Sequence, residues 1–77
     1  MDIERLVKMV NDISRFYQSE PDHEEAVRGV LGHIRRFWDP RMRRELAAHV
    51  ASGGAGLTTL GLEAARQLPA ADPAAQT

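Results

Sequence analysis

The 77-residue chain contains no cysteine. That absence removes disulfides, thiolate-held iron–sulfur clusters, thiolate-ligated zinc and a cysteine nucleophile at once. Aromatic residues are few, one Trp, one Tyr and two Phe, and two of them stand side by side at Phe37-Trp38. Neither sign of charge dominates: ten Lys and Arg face eleven Asp and Glu, a formal net charge of -1. The pI is about 6.3 and the mean hydropathy -0.39, so the long-range field that gathers a protein onto DNA is weak. No apolar run approaches the roughly 20 residues needed to cross a bilayer. The opening Met1-Asp2-Ile3-Glu4 is acidic where a secretory signal carries a basic region and an apolar stretch. These absences predict a cytoplasmic protein with no membrane segment. At this length a single core supplies only about 3–5 kcal/mol, and with disulfides excluded the missing stability points to a bound metal or a partner.

The metal has no obvious ligands. His23, His33 and His49 fall on different segments without His-x-x-x-His spacing or a carboxylate cluster beside them. Their expected places are a helix start for His23, an exposed position for His33 and a satisfied polar edge for His49. Ser14, Ser19 and Ser52 lack a recognisable base and orienting acid, and Gly53-Gly54-Ala55-Gly56 lacks the preceding strand of a dinucleotide-binding turn. The chain therefore presents no catalytic, cofactor or metal site of its own, and the partner remains. No segment alternates like a strand, and no internal repeat is visible.

What is present is helical periodicity. Ile3, Leu6, Val7, Val10, Ile13 and Tyr17 recur at three- and four-residue intervals, predicting a first helix over 2–19 capped by Asp2 and supported by a Glu4–Lys8 pair. Pro21 ends it. Asp22 and Glu25 have a capping-box spacing, and Val27, Val30, Leu31, Ile34, Phe37 and Trp38 continue one stripe, predicting a second helix over 22–38. Its interior glycines, Gly29 and Gly32, imply close packing against something. Asp39-Pro40 starts a third helix over 40–51, with Met42, Leu46, His49 and Val50 on one side and Gly53-Gly54 as a left-handed stop. Leu57 and Leu62 around a Thr58 cap predict a short fourth helix to about residue 68. Its inner face of Leu60, Gly61, Ala64, Ala65 and Leu68 is mostly small, which predicts shallow attachment. The fold class is thus all-α: a small three-helix core with a short fourth helix in one domain over 1–68, followed by a disordered Pro- and Ala-rich tail over 69–77.

Two regions are candidates for a partner. Met9 and Phe16 widen the apolar stripe of the first helix to about half its circumference, enough for two neighbours or for an interface edge. Arg35-Arg36-Phe37-Trp38-Asp39-Pro40-Arg41-Met42-Arg43-Arg44 sets five of the ten basic residues around an aromatic pair. Arg and Trp are the residue types that most often anchor interfaces. The candidate docking residues at this corner are Phe37, Trp38, Arg41 and Arg44, with Trp38 over Val27, Leu31 and Ile34, and Phe37 on the flank beside Val30. The bland alternative is a solvated arginine rim over two core rings. A DNA-binding corner is disfavoured by Asp2, Glu4, Asp12, Glu20, Asp22, Glu24 and Glu25 upstream.

The runs Met1-Asp2-Ile3-Glu4-Arg5-Leu6-Val7-Lys8-Met9, Arg35-Arg36-Phe37-Trp38-Asp39-Pro40-Arg41-Met42 and Gly53-Gly54-Ala55-Gly56-Leu57 resemble the delta subunit of soluble NAD-dependent formate dehydrogenases, over about residues 1–68. One departure is Thr58-Thr59, where the family is expected to begin its last helix with Asp-Pro. The resemblance implies a non-catalytic accessory subunit of an enzyme that oxidises formate to carbon dioxide and passes electrons to NAD. It implies larger subunits as partners, above all the catalytic alpha subunit, and places the pterin-bound molybdenum or tungsten, the iron–sulfur clusters and the flavin in those subunits. A transient assembly or cofactor-insertion chaperone is the alternative, ahead of a small helical DNA-binding regulator.

Overall fold

Four helices form the fold in a computed structural model that describes residues 2–68. They are α1 (Ile3–Tyr17), α2 (His23–Phe37), α3 (Pro40–Ala51) and α4 (Thr59–Arg66), with no strand among the described residues. The expected tail over 69–77 lies outside the described residues.

Each helix starts on a residue whose side chain satisfies one of the otherwise orphaned amides of the first turn. Asp2 accepts from the Glu4 N–H at 3.2 Å, Asp22 from Glu24 at 3.0 Å, Asp39 from Met42 at 2.9 Å and Thr58 from Gly61 at 3.0 Å. The departure at Thr58-Thr59 therefore leaves the last helix properly capped. Asp22 does not share its cap with Glu25 as its spacing predicts. Its own N–H goes to Glu20 Oε1 at 3.3 Å, while the Glu25 carboxylate is taken by Arg28 on the next turn. Similarly, the Lys8 ammonium stands 3.8 Å from Asp12, one turn ahead of it, and not beside Glu4, one turn behind, which its spacing predicts. α1 ends at Tyr17, two residues short of the predicted boundary, where the Glu20 N–H turns back to the Tyr17 carbonyl at 3.0 Å.

The apolar stripes converge as their spacing requires. Leu6 and Val10 of α1, Val27, Val30, Leu31 and Ile34 of α2, Trp38 beyond it, and Leu46 of α3 are all buried together. α4 is a full member of this core. Ala64 and Ala65 are completely buried and Leu68 retains 1% exposure, where its small side chains predicted shallow attachment. Those small side chains are what let the helix come close: a Cβ on Gly61 would stand 2.8 Å from Val10 Cγ1 and 2.9 Å from Ser14 Oγ. Ser14, buried against this contact, satisfies its hydroxyl by donating to the Val10 carbonyl one turn back at 2.8 Å.

Between α3 and α4 the chain closes the predicted glycine stop. The Gly54 N–H donates to the His49 carbonyl and that of Gly53 to Val50, each at 3.0 Å, with Gly53 and Gly54 at φ 118° and 67°. Asn11 of α1 then holds the following loop, donating Nδ2 to the Gly56 carbonyl at 2.9 Å and accepting the Thr58 N–H at 3.0 Å.

Candidate docking face on α1 and α2

Burial separates the two rings of the Phe37-Trp38 pair. Trp38 is only 4% exposed and belongs to the core, whereas Phe37 remains 66% exposed. Trp38 thus supports the corner from inside and offers almost no surface to a partner. The helix stops at Phe37, and Trp38 leaves it in an extended conformation, φ -95° and ψ 140°, with its N–H still bonded to the Ile34 carbonyl at 2.9 Å. Phe37 packs on His33, ring centroids 4.7 Å apart and tilted by 45°, while Val30, its expected neighbour, is fully buried. His33, expected in the open, is half-buried by this contact.

Phe16 is the second uncovered ring, 77% exposed and edge-on to Tyr17 with centroids 5.1 Å apart. The two rings belong to one face. Ile13, Phe16, Tyr17 and His33 line an opening of about 310 Å³. Tyr17 and His33 also line a second opening of about 260 Å³, together with Arg28, Gly29, Gly32, Arg36 and Phe37. Tyr17 fits against α2 because residue 29 has no side chain: a Cβ there would fall 2.5 Å from Tyr17 Cε1. The two candidate regions read separately from the sequence, the helix-one edge and the end of the second helix, therefore meet across an α1–α2 cleft.

The remaining candidate residues lie around this face in different ways. Met9 is half-buried and packs against the core. Arg41 and Arg44 are exposed on α3, Arg41 3.7 Å from Glu45, and neither lines the cleft. The cleft's cations come from α2 instead. Arg28 is paired with Glu25, and that hydrogen bond and charge raise its pKa above the ordinary guanidinium value. Arg36, the last residue but one of α2, makes no ion pair among the described residues. The spacing that unites these positions is visible in the sequence: 28, 32 and 36, and 29, 33 and 37, are two four-residue columns on one helix side.

Arg43 was absent from the sequence-derived candidates and turns out to hold the corner. Its Nη1 donates to the carbonyls of Trp38 at 2.8 Å and Arg35 at 3.2 Å, closing the C-terminal end of α2 from α3.

The histidines serve separate local contacts, with His23 Nε2 2.6 Å from Glu63 Oε2 between α2 and α4, and His49 Nε2 2.8 Å from the Ala55 carbonyl. Among the described residues no group of three His, Cys, Asp or Glu side chains is arranged to hold a metal, and no helix is long and apolar enough to cross a membrane.

The family model for the NADH-dependent formate dehydrogenase delta subunit, FdsD, matches residues 5–65. The chain belongs to this family. The match takes in both sides of the α1–α2 cleft and the α2–α3 corner. No curated protein and no solved structure matches the chain.

Proposed function

We propose that this chain is a non-catalytic accessory subunit that docks on the larger subunits of a cytoplasmic NAD-linked formate dehydrogenase, above all the catalytic alpha subunit, and supports assembly or stability of the complex. Family membership names the enzyme. The observation that carries the docking role is the pair of uncovered rings, Phe16 and Phe37, each lining one of two openings that share Tyr17 and His33. Exposed aromatic area of this kind on a small protein marks an interaction surface. In this reading the pterin-bound molybdenum or tungsten, the iron–sulfur clusters and the flavin all reside in the partner subunits. The chain contributes apolar surface and guanidinium groups at Phe16, Phe37, Arg41 and Arg44, with Met9 and Trp38 beneath them. Asp39, Pro40 and Arg43 hold the corner rigid, which lowers the ordering cost of docking.

The test is purification of the complex through a tag on this chain from cells expressing all the enzyme's subunits. Stoichiometric recovery through every column is expected for a resident subunit. Recovery only of immature, cofactor-deficient enzyme identifies a transient chaperone instead. Arg41→Ala combined with Arg44→Ala tests the α3 part of the surface. If the double variant stays helical and still co-purifies at full stoichiometry, the α3 arginines do not anchor the complex and docking rests on the α1–α2 face.

A further inference from the structure

Gly29 and Gly32 lie on the same helix and have opposite surroundings. Gly29 is filled by the Tyr17 ring, whereas Gly32 is exposed and, beyond its chain neighbours and its own helix backbone, no atom lies within 4 Å of the place a Cβ would take. A glycine inside a helix costs stability relative to alanine, and at position 32 no contact within the chain offsets that cost. The gap opens into the α1–α2 cleft, with Arg28 and Arg36 one turn away on either side and His33 and Phe37 beside it.

We propose that Gly32 is the seat for one apolar side chain of a segment of a larger formate dehydrogenase subunit, which enters between Tyr17, His33 and Phe37 and brings a carboxylate to Arg36. This assignment rests on the accessory-subunit reading. The missing side chain lets a partner approach the α2 backbone, and the uncovered Phe37 ring supplies apolar contact area at its edge. Charge fixes the rest of the partner's chemistry. Arg28 is already occupied by Glu25, while Arg36 retains a planar donor fork that matches a carboxylate in two parallel hydrogen bonds. A second copy of this chain suits the seat poorly, because a two-fold contact through the cleft gathers the Arg36 guanidinium groups of both copies into one interface with no carboxylate lining the opening to meet them.

The experiment measures the affinity of the purified chain for the complex of the other subunits, alongside its own melting curve and oligomeric state. Gly32→Ala is expected to melt above the wild type and yet bind more weakly, a divergence that a merely structural glycine does not produce. Gly32→Leu fills the seat and Arg36→Glu reverses its charge; each is expected to lose about 30-fold in affinity or more, the scale of an interface anchor. If Gly32→Leu misfolds, Arg36→Glu and Phe37→Ser, both at exposed positions, decide the matter. Wild-type affinity in the folded variants overturns the seat while leaving the accessory role standing. Failure of the wild-type chain to bind the other subunits overturns the accessory role and the seat with it. Self-association abolished by Gly32→Leu replaces the subunit segment with a second copy and likewise overturns the proposal.

Discussion

The Asn11 side chain reaches across 47 positions to accept the Thr58 N–H at 3.0 Å, while its Nδ2 donates to the Gly56 carbonyl. One amide thus ties α1 to the loop that launches α4, using both its acceptor and its donor. Asn11→Ala removes both bonds and returns two groups of exposed loop residues, the Gly56 carbonyl and the Thr58 N–H, to water. The expected loss is about 1–3 kcal/mol, read as a shift in the urea midpoint with the slope unchanged. A wild-type midpoint in the variant means that the loop holds its course without Asn11.

Two interior glycines of α2 give substitutions of opposite sign. Gly29→Ala puts a methyl group 2.5 Å from Tyr17 Cε1, so the ring or the helix has to move. Overpacking of this kind costs about 1–3 kcal/mol. Gly32→Ala meets nothing and is expected to gain up to about 1 kcal/mol from helix propensity. Paired thermal melts of the isolated chain check the signs, and equal shifts in the same direction contradict the packing described.

Neighbouring arginines on α3 also differ in role. Arg43 donates to two carbonyls near the end of α2, whereas Arg44 is exposed. Arg43→Ala is expected to cost about 1–2 kcal/mol, toward the lower end of hydrogen bonds involving a charged group because the site is partly open. Arg44→Ala in the free chain is expected to stay within about 0.5 kcal/mol of wild type. Chemical denaturation of the two variants side by side checks this, and equal destabilisation removes the special role of Arg43.

Much of the fold was legible because caps and periodicity are local. Asp2, Asp22, Asp39 and Thr58 each satisfy an amide two or three residues ahead, and proximity in the chain makes such bonds readable. The candidate face was less legible. Reading Phe37 as the continuation of the Val27–Ile34 stripe hid the column of Gly29, His33 and Phe37 on which it lies. Arg43 was invisible for a related reason: nothing local distinguishes it from Arg41 or Arg44, and its carbonyl partners become neighbours only once the corner has folded.

The sequence by itself determined four helix starts, the glycine stop after α3 and the family, since each depends on residue identities at short fixed spacings. Only the tertiary structure decided how deeply α4 packs, that Asn11 holds the loop before it, and that Phe16 and Phe37 line two openings joined through Tyr17 and His33. Those outcomes depend on which helix faces meet. Where they meet, the absence of side chains at Gly29 and Gly61 lets a neighbour in closely, and at Gly32 it leaves an open gap, a difference that three identical residues cannot reveal along the chain.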